Sequence, residues 1–374
     1  MWLERLGSTG FRNLAGGPIL FAESVNLIVG DNGHGKTNLL EAVTVLGNLR
    51  SFRAAGVRAW LRHGDRALRV EGVVHSATSS LRLRQVLDLG PPLRRDLSLD
   101  GVASSVPEYL AACPVFAMSS SDRELVTGPP QERRGYLDRL AFLLDTTTWD
   151  ELRTWRRVLH QRNAALSRRV GAAELAAWGT RLAAASARVV CRRREAVERL
   201  GPVLAGLLAR LLPKQGPEVA ISYRTEPWAD PADGYEVLVH EYEKRYTETT
   251  ERDRELGFTG EGPHRHDLRL RADGRGARDA LSAGQAKSVA SALRLAALEL
   301  VERSRRERLP VVVDDVDAEL DRAALERLLD VLGTERQIFL SSAHTDMVRL
   351  VVPAGRRFEM REGVCRRMPA GAIE

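Results

Sequence analysis

The spacing of apolar residues changes repeatedly along the chain, and each change predicts a different kind of element. Residues 25–29, Val-Asn-Leu-Ile-Val, form a strand-prone run that stops at Gly30, and Leu39, Leu40, Val43 and Leu46 then recur at helical spacing over residues 38–48. This predicts a strand, a glycine-rich loop and a helix. Over residues 67–99 apolar positions tend to alternate (Leu68, Val70; Leu81, Leu83), and Gly90-Pro91-Pro92 and Asp100-Gly101 supply turns. Antiparallel strands are predicted there, flanking the ligand of the glycine-rich loop.

Between residues 131 and 212 the texture becomes helical. Leu152, Trp155, Leu159 and Leu166 fall on one face, and Leu175, Trp178, Leu182 and Val189 on the next. Gly201-Pro202 predicts an interruption and Pro213 an end. A further helix is predicted over 235–254, after the turn-rich residues 227–234. The helical block is too short, and too little heptad-like, for a long coiled-coil arm. After Gly262-Pro263 an α/β texture follows: strand 268–271, helix 282–305, buried strand 311–314, helix 323–332 and buried strand 337–340. The simplest organisation is an α/β domain made of residues 1–120 and 255–374, with a mixed sheet and flanking antiparallel strands, into which residues 121–254 insert as a mainly helical lobe.

Composition adds little to the fold but narrows the partners. At 374 residues the chain is long enough for two lobes. A formal charge of +6, from 56 Lys+Arg against 50 Asp+Glu, is a mild bias toward polyanions. Only Lys36, Lys214, Lys244 and Lys287 are lysines, so one of the few sits in the glycine-rich loop. Cys113, Cys191 and Cys365 have no CxxC spacing, so neither a disulfide framework nor a zinc site is suggested, and a reducing compartment is expected. The start Met1-Trp2-Leu3-Glu4-Arg5 has no apolar signal region, and Arg210 breaks the leucine-rich stretch at 204–212. A soluble, cytoplasmic protein is expected.

Gly30-Asp31-Asn32-Gly33-His34-Gly35-Lys36-Thr37 is a complete P-loop between strand and helix. Gly30, Gly33 and Gly35 let backbone N–H groups turn inward on phosphates, Lys36 brings a point charge for the β- and γ-phosphates, and Thr37 brings a hydroxyl for Mg²⁺. The helix N-terminus beginning near Asn38 adds its positive dipole end. ATP is the expected ligand. A Walker-B strand follows at Val311-Val312-Val313-Asp314-Asp315, where Asp314 is expected to hold Mg²⁺ and Asp315 to stand where a general base orients the attacking water.

Leu281-Ser282-Ala283-Gly284-Gln285 opens the helix about thirty residues before that strand. In this order and spacing it resembles the signature motif of the ATP-binding-cassette superfamily, and Glu319-Leu320-Asp321 resembles its D-loop. That resemblance implies that Ser282, with Gly284, Gln285 and the helix N-terminus, caps the γ-phosphate of a nucleotide held by a second subunit. His344 stands where the superfamily has its switch histidine; a solvated loop histidine is the alternative.

Over nearly its whole length the sequence resembles, more narrowly, the RecF family of bacterial recombination-mediator ATPases. The likeness is carried by Thr9-Gly10-Phe11-Arg12-Asn13-Leu14, by the P-loop continuing through Asn38-Leu39-Leu40-Glu41-Ala42, by Ser51-Phe52-Arg53, whose arginine is a candidate for approaching the phosphates, and by Leu125-Val126-Thr127-Gly128 through Asp138. Gln161-Arg162-Asn163-Ala164-Ala165-Leu166 and Gly262-Pro263-His264-Arg265 separate it from generic transporter ATPases. Ser119-Ser120-Ser121-Asp122 and Glu255-Leu256-Gly257 depart from the family's pattern. The resemblance implies an ABC-type ATPase domain, weak DNA-dependent ATP hydrolysis and an ATP-driven homodimer that clamps duplex DNA near single-strand gaps and helps load recombinase. It also implies roles in DNA repair, replication and the SOS response, partnership with RecR and indirectly RecO, and a nucleoid-associated location.

Other readings stay beside it. Arg153, Arg156, Arg157, Arg168, Arg169, Arg181, Arg188 and Arg192 to Arg194 are either a DNA-facing surface or a solvated face paired with Glu195 and Glu198. His264 and His266 lack a third ligand nearby, which favours a structural role over a metal site. A different SMC-like head ATPase of DNA metabolism, a small-molecule P-loop kinase and a scaffold that holds ATP without hydrolysing it are the rival functions. The SxGQ motif argues against the kinase, and Asp315 in place of the commoner glutamate keeps the scaffold open.

Overall fold

The computed structural model describes residues 1–53, 56–212, 216–316, 322–343 and 355–369. The chain divides into two compact units, Met1–Asp122 with Ser291–Glu374, and Arg123–Ala290. In chain order, the first unit begins with strands β1 (Trp2–Thr9), β2 (Ile19–Leu20) and β3 (Val25–Val29) and helix α1 (Lys36–Asn48). It continues through β4 (Ala67–His75), β5 (Ser80–Asp88), β6 (Arg94–Leu99), β7 (Val102–Ala103), α2 (Val106–Ala112) and β8 (Phe116–Met118). The second unit holds α3 (Glu124–Thr127), α4 (Pro130–Leu144), α5 (Thr148–Ser167), α6 (Ala172–Leu211), β9 (Val219–Arg224), α7 (Tyr235–Glu248), α8 (Thr250–Leu256), β10 (Asp267–Ala272), β11 (Arg275–Gly276) and α9 (Ala277–Ala280). The division between units falls inside α10 (Ala283–Arg305), after which come β12 (Val311–Val313), α11 (Arg322–Leu332), β13 (Ile338–Ser342), β14 (Arg356–Arg361) and β15 (Val364–Arg367).

Two sheets build the first unit. One has the order β15-β14-β3-β13-β12-β8 and is parallel except for the β14–β15 hairpin. Its inner strands are buried on both faces, which is why they read as continuous apolar runs without alternation. The other, β2-β1-β4-β5-β6-β7, is antiparallel, and the alternating burial along β4 and β5 follows from having one covered face. Helix α1 lies between them, touching β4 and β5 on one side and β13 on the other. Leu39, Leu40, Val43 and Leu46 are all buried there, each contributing roughly 1.5–3 kcal/mol of transfer free energy. The P-loop is thereby fixed to a rigid base.

The second unit is a helical assembly with a small antiparallel sheet, β11-β10-β9. Three sequence expectations are corrected here. The lobe does not end at residue 254, because β10 pairs along its length with β9, from Asp267↔Arg224 to Ala272↔Val219, and the compact unit that begins at Arg123 runs on to Ala290. Gly201-Pro202 does not break the helix: α6 runs through Pro202, since Leu200, Leu204, Leu207, Leu208 and Leu211 stay buried along one stripe and offset the roughly 3 kcal/mol that an interior proline costs. The single helix expected over 235–254 is divided at Thr249, whose φ of −90° and ψ of 2° separate α7 from α8. Strand β9 carried no sequence prediction. Among the described residues no helix is long and apolar enough to cross a membrane.

Candidate nucleotide-binding site

The chain leaves β3 at Val29, turns through residues 30–35 and enters α1 at Lys36, so the loop hangs from the C-terminal end of a buried parallel strand. Gly30 has φ 147° and Gly35 φ 107°, in the region that favours glycine, and a Cβ on Gly30 would lie 2.3 Å from the Met360 carbonyl oxygen on β14. The loop is packed too closely there for any side chain. Lys36 is 7% exposed, and its ammonium donates to the carbonyls of Gly30 at 2.6 Å and Asp31 at 3.1 Å and to Asn32 Oδ1 at 3.4 Å. Asp31, Asn32 and Gly33 are exposed. His34 is tied on both sides, its carbonyl accepting from Gly363 N and its Nδ1 from Glu362 N, so the turn between β14 and β15 braces the loop.

The Walker-B strand β12 delivers Asp314 to the same place. Thr37 Oγ1 donates to Asp314 Oδ1 at 3.1 Å, and Ser341 Oγ, at the end of the neighbouring strand β13, donates to the same oxygen at 2.7 Å. Asp314 is 9% exposed, and burial pushes its carboxyl above the usual carboxylate range, against the two hydrogen bonds and the nearby Arg53 guanidinium. The backbone N–H of Asp315 donates to Ser341 Oγ at 2.7 Å, and Asp315 turns the chain with φ 51°. Ser341 thus holds both carboxylate-bearing positions. The sequence signal for it is slight: a small polar residue ending a buried strand.

A second cluster lies beside the loop. Glu41, fully buried on α1, accepts two 2.8 Å bonds from Arg12 and one of 2.7 Å from Ser51 Oγ, and Arg53 stands 3.7 Å away. Arg53 also donates to Asn38 Oδ1 at 3.0 Å, and Asn38 donates to Asn13 Oδ1 at 2.7 Å. The arginine noted after the P-loop helix is therefore held close to Asp314. Ser121, in the segment that departs from the family pattern, donates to the Phe52 carbonyl at 2.9 Å, and Asp122 pairs with Arg294 at 2.7 Å.

Ser282, Gly284 and Gln285 belong to the second unit, at the N-terminus of α10. Ser282 Oγ accepts from Gln285 N and Gln285 Oε1 from Ser282 N, a reciprocal cap that starts the helix and leaves Ser282 and Gly284 exposed. His344 and Glu319-Leu320-Asp321 lie outside the described residues. The arginine group divides. Arg193 is 2% exposed and bonded to Asp138 and the Pro263 carbonyl, so it is a core residue and neither a DNA-facing nor a solvated one. Arg156 pairs with Asp138, Arg192 with Asp145 and Glu151, and Arg194 with Glu198 and two carbonyls. Arg153, Arg157, Arg168, Arg169, Arg181 and Arg188 are exposed.

His264 and His266 are engaged in hydrogen bonds. His264 Nε2 meets the Thr259 carbonyl, while His266 lies between Tyr223 Oη and the Glu226 carboxylate. The segment Gln161 to Leu166 also proves to be internal scaffolding: Arg162, 1% exposed, bonds Asp253 and Thr259 at 2.7 Å each.

The residues of the first unit fit a magnesium nucleotide. A hydroxyl and a buried carboxylate with a raised pKa sit side by side at the end of two parallel strands, and a divalent cation would relieve that carboxylate's desolvation. The lysine ammonium, satisfied here by loop carbonyls, is the cation for the phosphates.

Comparison with known proteins gives the same direction. Residues 2–364 match the family model described as the RecF/RecN/SMC N terminal domain. The chain is 35% identical over 365 residues to the DNA replication and repair protein RecF of Anaeromyxobacter sp. (strain Fw109-5), covering 95% of each. It is 32% identical over 351 residues to that of Synechococcus sp. (strain JA-2-3B'a(2-13)), covering 92% of each. A solved structure of the recombination mediator protein RecF with ATP, in the RecFOR pathway, superposes with a TM-score of 0.90 at 25% identity over 98% of both chains. An Smc head bound to the C-winged helix domain of ScpA shares the fold, with a TM-score of 0.54 at 16% identity over 98% of this chain and 97% of the other.

Proposed function

The chain belongs to the RecF family of DNA replication and repair proteins, and on that footing we propose that it is an ATP-dependent DNA-binding ATPase of recombinational repair. Two copies close around two ATP molecules, hold duplex DNA near single-strand gaps and assist recombinase loading, and slow hydrolysis releases them. The observation that carries this reading is the convergence of Lys36, Thr37, Asp314 and Ser341 on one loop. Lys36 would exchange its loop carbonyls for the β- and γ-phosphates, and Thr37 and Asp314 would hold Mg²⁺, whose charge would offset that of the phosphates. Asp315 positions the attacking water. Arg53, poised on Asn38 and Glu41, reaches the phosphate side of the site.

Ser282, Gly284, Gln285 and the N-terminus of α10 complete the nucleotide site of the partner copy, a reading supported by the exposure of Ser282 and Gly284 at the positive end of that helix in the single chain. His344 acts as the switch histidine. DNA contact is to backbone phosphates through exposed arginines such as Arg153, Arg168 and Arg169, hence independent of sequence. The relatives' place in the RecFOR pathway extends the proposal to RecR, indirectly RecO, and to the nucleoid.

Gel filtration and DNA binding with ATP, ADP and no nucleotide test it, on the intact chain and on Lys36→Ala, Ser282→Ala and Asp314→Ala. Dimerisation and tighter DNA binding with ATP alone are expected, and their absence overturns the clamp. Ser282→Ala should bind ATP yet fail to dimerise. ATP-dependent dimerisation without any turnover favours instead a scaffold that holds ATP, a reading supported by the short carboxylate of Asp315.

A further inference from the structure

Helices α5 and α6 are joined by the short connection at 168–171 and pack side by side, with α7 against α6. Trp178, Arg181, Ala184 or Ala185, and Arg188 recur at helical spacing on one face of α6; Glu151, Thr154, Val158 and Gln161 do so on α5. These two stripes, with Tyr235 at the start of α7, line a cleft of about 700 Å³ within the second unit. On the α6 side the lining between Arg181 and Arg188 is only the methyl groups of Ala184 and Ala185, which leaves room between the helices.

We propose that this cleft binds an acidic, apolar peptide segment of a partner protein. Its floor is aliphatic: Val158 and Ala185 are 7% and 8% exposed, and Ala184 opens beside them. A leucine- or isoleucine-sized side chain removes that surface from water. Its rim is cationic: Arg157, Arg181 and Arg188 are exposed and, among the described residues, form no ion pair. Two of them are pre-positioned, Arg181 over the Trp178 ring at 5.3 Å and Arg188 over Tyr235 at 4.8 Å, which leaves their planar forks to meet carboxylates. Glu151 is already neutralised by Arg192, so Asp150 is the one acidic group of the lining without an ion pair among the described residues.

The same features argue against a nucleic-acid strand as occupant. A base needs a vacant aromatic face, and here a guanidinium lies over one face of each ring while the ring is partly buried against the core cluster. A phosphodiester chain crossing the cleft also meets Asp150, whereas a peptide offers that carboxylate its backbone N–H groups.

The test is selection of a random dodecapeptide phage library on the full-length chain, followed by binding of the synthesised winners to wild type, to the Arg181→Glu, Arg188→Glu double variant and to Ala184→Phe, which fills the floor. Circular dichroism and ATP affinity, read at the Lys36 loop of the other unit, confirm that each variant is folded. Expected are sequences joining Asp or Glu to Leu, Ile or Phe, with affinity falling at least about tenfold, some 1.4 kcal/mol, in both variants. The proposal fails if no sequence is enriched, if the winners lack acidic residues, or if the variants bind them as wild type does. It fails too if a labelled dodecathymidylate binds and is lost in the same variants. ATP-driven dimerisation and duplex binding are separate readouts, so the clamp and the cleft stand or fall independently.

Discussion

The Thr37 hydroxyl and the Asp314 carboxylate, 277 positions apart in sequence, meet at 3.1 Å. Nothing in the apo arrangement needs an acid there, since Thr37 would be satisfied by water, and burial makes the charge costly. Asp314→Asn preserves the shape and the Ser341 bond but removes the charge that attracts Mg²⁺. Titrating ATP with and without Mg²⁺ should show wild type gaining at least about tenfold from the ion, and the variant gaining little. An unchanged magnesium dependence in the variant would remove Asp314 from the metal site.

Glycines of one loop should differ in cost. Gly30→Ala meets the Met360 carbonyl at 2.3 Å, so β14 or the loop has to move, and the nucleotide-free protein should lose more than about 2 kcal/mol. Gly33, at φ 83°, has nothing within 4 Å of the place an added methyl would take, which leaves only backbone strain of about 1 kcal/mol. Denaturant midpoints of the two variants without ATP decide it: equal losses would mean that Met360 does not approach Gly30 as described.

Arg162 and Asp253 are a buried pair, 1% and 2% exposed in their side chains, in a segment first singled out for family likeness. Removing one partner strands the other charge, so Asp253→Ala should cost about 3–5 kcal/mol in the helical unit, while the Arg162→Met, Asp253→Leu double variant costs less. Chemical denaturation followed by tryptophan fluorescence would separate these outcomes, with the two units allowed to unfold in separate steps. Equal destabilisation of single and double variants would show that packing, not the charge pair, dominates.

What the sequence displayed and what it hid follow from range. Local patterns carried β3, the P-loop, α1, β4 and β5, because a strand with one covered face alternates and a helix with one covered face repeats at three and four. Lys36, Thr37 and Asp314 were legible because phosphate chemistry restricts the residue types at fixed offsets. Ser341 and Glu41 were not, since their roles depend on strands and side chains brought together from far along the chain. Pro202 misled for a related reason: a long buried stripe outweighed a local penalty. The end of the helical unit was misplaced because β9 finds its partner β10 across an intervening helix pair, and six alternating residues gave no sign of it.

His266 provides a pH prediction. His266 Nδ1 lies 2.7 Å from Tyr223 Oη and its Nε2 faces the Glu226 carboxylate, with Tyr242, Arg193 and Arg134 also near; a Tyr223 hydroxyl that donates to Nδ1 while Nε2–H donates to Glu226 leaves the ring neutral. Burial holds the His266 pKa below its ordinary 6.5, outweighing Glu226. A base with a depressed folded pKa binds fewer protons than in the unfolded chain, so its contribution is whole above about pH 6.5 and is lost as pH falls through the folded value. Glu226, also held below its ordinary 4.5 on balance, although burial opposes the shift, adds a second loss in the same direction at more acid pH. The unfolding midpoint of the helical unit should therefore fall between pH 7 and 5, and His266→Gln, uncharged throughout, should start lower at pH 7 and show a flatter slope. Parallel slopes for variant and wild type would place the acid sensitivity elsewhere.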